Sequence, residues 1–303
     1  MSARQIGRPI GRRFLCAGLA LAPAVALSAE AQAQGSDPKF AAWLRGVKAE
    51  ALRAGVDEST AEAALGSVEQ VPRVLELAHN QPEFTMTFER YMELVVSPKR
   101  VTDGRAALKD NRALIERFAG PAGIPPSIVA SFWGIESNYG EKQGDFEVIP
   151  ALATLAYNNF RASFFRQQLI AALKIVSQGH IALHAMKGSW AGAMGQCQFI
   201  PTTFLLYAAD GDGDGRYDIW NSKADVFATT VNHLAHIGWK PGLGWGAEAD
   251  SNAVAGKGER IVRPSGAGGP AYRTTANFQA ILRWNQSDFF ALAVGILSDR
   301  IAA

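Results

Sequence analysis

Cysteine is almost absent from this chain of 303 residues, which contains only Cys16 and Cys197. Cys16 lies in an N-terminal segment that we expect to be removed, so the mature protein has no pair for an intrachain disulfide. No small-residue lipobox precedes Cys16, and we therefore expect no lipid anchor there. Cys197 lies between two glutamines, and we interpret it as an inert core residue rather than a nucleophile.

An excess of charge of either sign is also missing. The chain has 30 Lys and Arg against 28 Asp and Glu, a formal net charge of +2. Four arginines and a single glutamate fall in residues 1–33, so the remainder carries 26 basic and 27 acidic side chains. Without a strongly basic domain, nucleic acid is not an expected partner. A content of 48% hydrophobic and 19% charged residues excludes disorder over most of the chain.

The N-terminal apolar stretch, residues 14–27, is too short to span a bilayer and is interrupted by Pro23. Arginines precede it, and Ala31 and Ala33 follow it as an A-x-A cleavage site, which is typical of a secretory signal peptide. We predict that residues 1–33 export the protein to the periplasm and that the mature chain has no transmembrane segment. Arg12-Arg13 resembles a twin-arginine motif, so the Sec and twin-arginine routes both remain open.

Helical periodicity dominates the remainder, and we predict one mainly α unit over residues 34–303. Its parts are a helical N-terminal part at 34–120, a core at 121–238 and C-terminal helices at 277–303. Residues 239–276 are rich in Gly and Pro and predict a loop-rich flap with two or three short strands. Helices are predicted to begin at Ser97-Pro98, at Pro125-Pro126 and, with Ser222 and Asp225 as a capping box, near 223. Further helices are predicted near residues 150–157, 162–177, 201–208, 223–237, 278–284 and 288–301.

The predicted helix between Pro125 and Gly140 has one ionisable side chain of the Asp, Glu, Lys, Arg and His set, Glu136. Apolar residues lie three, four and seven positions before Glu136, and the opposite side is apolar too, which is typical of a buried helix. Burial disfavours a charged carboxylate, so we expect the pKa of Glu136 to lie above about 4.3, as suits a general acid. The pattern fits a structural buried glutamate equally well. Asp145 and Glu147 follow closely enough to supply a second carboxylate.

A second candidate segment has glycines at 188, 192 and 195 together with Ser189, Gln196 and Gln198. Glycines let a backbone approach a ligand closely, while amides and hydroxyls form hydrogen bonds with the polar groups of a ligand. A glycine-rich turn that packs against a core helix has the same pattern, and the spacing does not distinguish the two.

Residues 210–221 have the spacing of an EF-hand loop, whose ligands come from positions 1, 3, 5, 7, 9 and 12 with glycine at position 6. Gly215 occupies the turn. The neutral Asn221 stands where EF-hands have a bidentate glutamate, which predicts a weaker affinity. A solvated acidic turn is the alternative. The predicted Ca²⁺ ligands are Asp210, Asp212, Asp214, the Arg216 carbonyl, Asp218 and Asn221.

The stretch Phe132-Trp-Gly-Ile-Glu136-Ser-Asn-Tyr139-Gly resembles the catalytic E-S-x-Y-G segment of lytic murein transglycosylases, and specifically of the membrane-bound lytic transglycosylase B type. The resemblance is strongest over residues 188–201, returns at Trp284-Asn285-Gln-Ser, and covers nearly all of the mature chain. It implies a lysozyme-like fold related to goose-type lysozyme and soluble lytic transglycosylases. It also implies peptidoglycan glycan strands as the partner and a stabilising calcium loop at 210–221.

In this family the glutamate that matches Glu136 is the sole catalytic acid and base. It protonates the oxygen between N-acetylmuramic acid and N-acetylglucosamine, and then deprotonates the muramyl 6-hydroxyl. That hydroxyl attacks the anomeric carbon and leaves a 1,6-anhydro sugar. The 2-acetamido group of the substrate stabilises the cationic centre, whereas ordinary glycosidases use two carboxylates.

The resemblance also implies a set of sugar contacts. Arg161 matches the first of two adjacent arginines in some members of the family. The second is replaced by Ala162 here, so part of the contact to the peptide attached to the muramyl residue is not expected. Trp284 and His233 each replace a tyrosine, which keeps a flat ring but changes its hydrogen bonding. The substrate-binding residues implied in this way are Ser189, Gln198, Asn285, Arg161, Tyr139, Trp284 and His233.

Two other functions remain open from the sequence. A muramidase on the same fold would use water in place of the 6-hydroxyl and give reducing ends. A non-catalytic peptidoglycan-binding protein is the second alternative, against which the intact Glu136 argues. The short segment 239–276, where relatives often have a longer β-rich insertion, leaves endo and exo cleavage equally open.

Overall fold

The computed structural model describes residues 37–79 and 86–303. The predicted signal peptide, residues 1–33, lies outside the described residues. Helices make up most of the described chain, which confirms the mainly α prediction. None of these helices combines the length and apolar character that crossing a membrane requires. The helices are α1 (Pro38–Arg53), α2 (Glu58–Leu65), α3 (Pro72–His79), α4 (Phe88–Val95), α5 (Pro98–Ala119), α6 (Pro126–Ser137), α7 (Val148–Tyr157), α8 (Ala162–Ser177), α9 (Pro201–Tyr207), α10 (Lys223–His236), α11 (Ala276–Trp284) and α12 (Asp288–Ala302).

Local capping explains where several helices begin. The Ser97 hydroxyl accepts the backbone N–H of Arg100, and α5 then begins at Pro98 as predicted. The α7 helix begins at Val148, earlier than predicted, because Pro150 is tolerated within the first turn. The α11 helix also begins earlier, since the Thr275 hydroxyl caps it.

The start of α10 differs from the predicted capping box. The Ser222 hydroxyl accepts the backbone N–H of Asp225, as predicted. The reciprocal half is wrong, because the Asp225 carboxylate accepts the N–H groups of Gly211 at 2.7 Å and Asp218 at 2.6 Å. Asp225 is fully buried, and it thereby joins α10 to residues 211 and 218 of the loop at 210–221, which we call the acidic loop.

Two small antiparallel sheets accompany the helices. Strands β1 (Phe146–Glu147) and β2 (Lys187–Gly188) pair beside α7. The flap forms a three-stranded sheet in the order β3-β5-β4, which confirms the prediction of short strands there. Its strands are β3 (Gly246–Ala249), β4 (Arg260–Val262) and β5 (Ala271–Thr274). The Trp245 indole donates to Asp299 on α12 at 3.1 Å, which joins the flap to the helical core.

The α6 helix lies at the centre of the core. All its residues from Ser127 to Ser137 are buried, which confirms the prediction of a buried helix. Helices α5, α10 and α12 pack against α6, while α7 and α8 form a neighbouring pair with α1 to α3 on their outer side. The α11 helix packs on α10 and α12, and its last residue returns to α6.

Candidate active site

Glu136 lies in the last turn of α6, and only 3% of it is exposed. The helix ends at the next residue, Ser137, because Asn138 takes a left-handed conformation with φ of 51°. The apolar residues predicted to share its helical face, Phe132 and Trp133 among them, are buried as well. The structure therefore places the Glu136 carboxylate among buried apolar side chains.

Trp284 supplies a hydrogen bond to this carboxylate. Its indole Nε1–H donates to Glu136 Oε1 at 2.8 Å. The indole packs on Phe132, with ring centroids 4.3 Å apart, and against Phe199 at 5.1 Å. The resemblance implied that Trp284 binds substrate, and nothing in the sequence spacing indicated a bond to a residue 148 positions earlier.

His233 stands behind Trp284 in the same aromatic cluster. Its ring stacks on Tyr207 at a centroid distance of 4.6 Å and lies 4.8 Å from the Trp284 ring. Its Nδ1 atom is buried and has no hydrogen-bond partner within residues 37–79 and 86–303. Burial, with a smaller contribution from His236, lowers the pKa of His233 to about 4. The imidazole is therefore neutral near neutral pH.

We expect the His233→Phe variant to lose less stability in acid than the wild type. Because the folded-state pKa lies near 4 rather than 6.5, the unfolded chain binds the extra proton in that window, and wild-type stability falls as the pH falls through it. The loss over the whole window is about 3 kcal/mol. Urea unfolding between about pH 7 and pH 4 measures it. The exposed His236→Phe is the control, and equal losses in wild type and His233→Phe would contradict the prediction.

Gln198 and Ser189 both lie buried in the loop between β2 and α9. The Gln198 amide donates to the carbonyls of Gln143 at 3.0 Å and Gly195 at 2.8 Å, and its backbone has a positive φ of 49°. The Ser189 hydroxyl accepts the N–H of Ala193 at 3.0 Å. These bonds fix both side chains while leaving the Ser189 proton available to a ligand.

The glycines of this loop serve packing within the protein. Gly192 has φ of +81°, and a Cβ there would lie 2.5 Å from the Leu152 side chain of α7. A Cβ on Gly195, with φ of +64°, would lie 2.7 Å from Ile219. Of the two interpretations left open, these contacts support a turn that packs against a core helix.

The remaining sugar-contact predictions fall at different places. Asn285 is 5% exposed, follows Trp284, and makes no side-chain hydrogen bond within the described chain. Arg161 is exposed at the start of α8, with its guanidinium 4.4 Å from the Phe164 ring centroid. Tyr139 donates its hydroxyl to the Arg100 carbonyl of α5 at 2.9 Å, and burial raises its pKa. Its hydroxyl thus joins two helices.

Sequence reasoning gave Gln196 no separate role. Gln196 is 7% exposed, and its Oε1 accepts the indole N–H of Trp133 at 2.7 Å. Its Nε2 donates to the Trp220 carbonyl at 2.9 Å, and its backbone N–H donates to the Ile219 carbonyl at 2.9 Å. We call this set the glutamine bridge. It connects the helix of Glu136 to the end of the acidic loop.

The acidic loop brings three of its predicted ligands together. Carboxylate oxygens of Asp210, Asp212 and Asp214 all lie within 4.8 Å of one another. Oxygen ligands held this close suit a hard cation such as Ca²⁺. The arrangement of these three carboxylates is therefore consistent with a calcium site. The Asp225 carboxylate fixes the backbone of the loop by accepting two of its N–H groups.

The other predicted ligands are arranged differently. The Asn221 amide donates to the Asp218 carboxylate at 3.1 Å, so these two bond to each other. The Arg216 guanidinium pairs with Asp214 at 3.0 Å. The pKa of the Asp214 carboxyl is lowered, first by the hydrogen bond from the Arg216 backbone N–H and second by the guanidinium. Arg216 thereby competes with a cation for one carboxylate.

Cys197 is buried beside α10, as predicted. Its Sγ lies 3.4 Å from the Val226 carbonyl and 3.6 Å from the Thr230 hydroxyl. Burial raises the pKa of the thiol to about 12, which excludes a reactive thiolate at neutral pH.

Known proteins are similar to this chain in sequence and in fold. The family described as the transglycosylase SLT domain matches residues 39–260 and 249–299. Membrane-bound lytic murein transglycosylase B of Escherichia coli (strain K12) is 27% identical over 286 residues, covering 82% of this chain and 79% of that protein. SltB3 from Pseudomonas aeruginosa, solved in complex with NAG-anhNAM-pentapeptide, is 37% identical with a TM-score of 0.82, covering 89% of this chain and 80% of that chain. The Escherichia coli lytic transglycosylase SLT35, solved in complex with calcium, is 25% identical with a TM-score of 0.74. That match covers 87% of this chain and 92% of that chain.

The chain therefore belongs to the transglycosylase SLT domain family. Within that family it is a lytic murein transglycosylase of the membrane-bound lytic transglycosylase B type, and hence an enzyme. The matches also confirm the lysozyme-like fold class predicted from the sequence.

Proposed function

We propose that this enzyme cleaves the β-1,4 bond between N-acetylmuramic acid and N-acetylglucosamine in peptidoglycan without water and leaves 1,6-anhydro ends. The single observation that carries the proposal is the buried Glu136 carboxylate held by the Trp284 indole. The SltB3 complex supports it, because that relative binds a fragment containing an anhydro sugar.

The exposure of the carboxylates that neighbour Glu136 in sequence favours a mechanism with one glutamate. Asp145 and Glu147, which could have formed a pair with Glu136, are both exposed. Among the described residues the buried carboxylates are Glu136 and Asp225, and Asp225 is bonded to the acidic loop. Glycosidases that use two carboxylates hold them about 5 to 10 Å apart across the scissile bond. A substrate-assisted reaction needs only one.

The chemistry then follows from one side chain acting twice. Protonated Glu136 gives its proton to the glycosidic oxygen while the bond from that oxygen to the anomeric carbon breaks. The 2-acetamido group of the muramyl residue stabilises the cationic carbon. The carboxylate then takes the proton of the 6-hydroxyl as that oxygen bonds to the anomeric carbon. Glu136 ends in its starting form, and no water is consumed.

We assign substrate binding to side chains around this carboxylate. Asn285 offers an amide that has no hydrogen-bond partner among the described residues, and Ser189 and Gln198 lie in a loop fixed by its own backbone. Arg161 lies at the surface, which suits a contact to the peptide part of the substrate. Amides and hydroxyls of this kind bond to N-acetyl and sugar hydroxyl groups.

Mass spectrometry of the soluble products from purified peptidoglycan tests this function. Muropeptides that end in 1,6-anhydromuramic acid are expected. Products heavier by one water, with reducing muramic ends, would make the enzyme a muramidase. Binding to the sacculus without any release would support the non-catalytic alternative.

We also propose that the acidic loop binds Ca²⁺ as a stabilising ion. The convergence of Asp210, Asp212 and Asp214 supports this, as does the calcium complex of the relative SLT35. These three carboxylates would hold the ion, with the Arg216 carbonyl, Asp218 and Asn221 as the further ligands that the spacing predicts. The ion supplies charge compensation to the loop.

Adding Ca²⁺ to protein treated with a chelator is expected to raise its Tm by about 5 °C at a hundredfold excess over Kd. The reason is that the ion binds only the folded loop. Asp212→Asn, which removes one charge at constant size, is expected to abolish the increase, whereas the exposed Asp145→Asn outside the loop leaves it intact. Differential scanning calorimetry measures these shifts. A Tm that does not respond to Ca²⁺, or an undiminished increase in Asp212→Asn, would refute the site.

We further propose that residues 1–33 direct export to the periplasm, where the substrate lies. The basic segment, the apolar stretch and the A-x-A site support this. N-terminal sequencing of the periplasmic protein tests it, with Gln34 as the expected first residue. An unprocessed cytoplasmic chain would refute it.

A further inference from the structure

The bond between Trp284 and Glu136 distinguishes the two carboxyl oxygens. The indole Nε1–H donates to Oε1 at 2.8 Å, and an indole nitrogen of this kind can only donate. Oε1 is therefore an acceptor whether Glu136 is protonated or ionised. Because the hydroxyl oxygen of a carboxylic acid is the weaker acceptor, the proton of the neutral form is favoured on Oε2.

The packing around the indole fixes this arrangement. Phe132 lies four residues before Glu136 on α6, and its ring centroid is 4.3 Å from that of Trp284. The rings of Phe199 and His233 also pack against the indole, with ring centroids 5.1 and 4.8 Å from that of Trp284. Trp284 is only 8% exposed, so the ring has little room to turn away. The donor and the acceptor are thus held against the same face of α6.

We propose that Trp284 is a positioning residue that reserves Oε1 of Glu136 as an acceptor and directs the transferable proton to Oε2. This role rests on the proposed function. In the first step the Oε2–H bond breaks as the proton passes to the glycosidic oxygen. The indole N–H then stabilises the carboxylate that remains. In the second step Oε2 takes the proton of the 6-hydroxyl, and the starting arrangement returns.

Kinetics of two variants test the role. Trp284→Phe keeps a ring but removes the donor, and it is expected to lower kcat about 10- to 100-fold with KM within about threefold. Trp284→Tyr restores a donor and is expected to recover part of kcat. Anhydromuramyl products are expected throughout. An unchanged kcat in Trp284→Phe, or a tyrosine variant no better than phenylalanine, would overturn the proposal.

Hydrogen exchange gives a readout that is independent of activity. The Trp284 indole resonance is assigned by its loss in Trp284→Phe, among the seven tryptophans of the chain. In Glu136→Ala, which removes the acceptor, this indole proton is expected to exchange with solvent about tenfold faster or more. The Trp245 indole, bonded to Asp299, serves as the internal control and is expected to stay unchanged. Equal exchange of the Trp284 proton with and without Glu136 would overturn the proposal.

The two experiments separate this role from the proposed function. Wild-type protein that releases no anhydromuramyl product would refute the proposed function and, with it, the assignment of the proton to Oε2. A wild type that releases such products while Trp284→Phe retains its kcat would refute the positioning role alone.

Discussion

Replacing Glu136 by glutamine is expected to reduce the release of anhydromuramyl products by roughly 10³-fold or more. Glutamine keeps the size of the side chain and an oxygen that can accept the Trp284 indole bond, so the fold is expected to persist. It has no proton to transfer to the glycosidic oxygen and cannot take one from the 6-hydroxyl. Both steps therefore lose their acid or base in one substitution. Mass spectrometry of products, with Tm as the check on folding, measures the effect.

Two neighbouring acids provide matched controls for this variant. Asp145→Asn and Glu147→Gln each remove one negative charge within a dozen residues of Glu136, and both side chains are exposed. Their product release is expected to stay within about threefold of wild type. A large loss in either control would point to a second catalytic carboxylate. Substantial turnover by Glu136→Gln would remove Glu136 from the centre of the mechanism.

The sequence was sufficient for features that depend on local chemistry. A stretch with a single ionisable side chain predicted the buried α6, and Ser97 before Pro98 predicted the start of α5. Glycine and proline at 239–276 predicted short strands between loops. In each case the signal lies in one continuous segment of the chain, where periodicity, capping and turn-forming residues operate.

Features that join distant elements could not be predicted in the same way. The indole of Trp284 reaches Glu136 from 148 residues away, because α11 folds back onto α6. Asp225 has the spacing of a capping box but bonds to Gly211 and Asp218 instead, since the acidic loop lies closer to its carboxylate. Which partner a polar side chain selects depends on tertiary packing, and no spacing rule encodes it.

The partners of Gln196 likewise could not be predicted from spacing, and they make this residue important for stability. We expect Gln196→Ala to lower the free energy of unfolding by about 4 kcal/mol. The substitution leaves the buried Trp133 N–H without its acceptor, weakens the hold on the Trp220 carbonyl, and opens a cavity. Urea unfolding measures the loss. Gln143→Ala is the matched control, because Gln143 also donates to Trp220 but is only half-buried, and about 1 kcal/mol is expected there.

A double-mutant cycle identifies the part of this loss that belongs to the glutamine bridge. Trp133→Phe removes the donor that Gln196 accepts, so the losses from Trp133→Phe and Gln196→Ala should not add, with a coupling of about 1 kcal/mol or more. Because Trp133 lies three residues before Glu136, the same variants are expected to lower kcat about tenfold by loosening α6. Additive losses would mean that the two side chains act independently. A stable Gln196→Ala protein with full activity would show that α6 needs no such tie to the acidic loop.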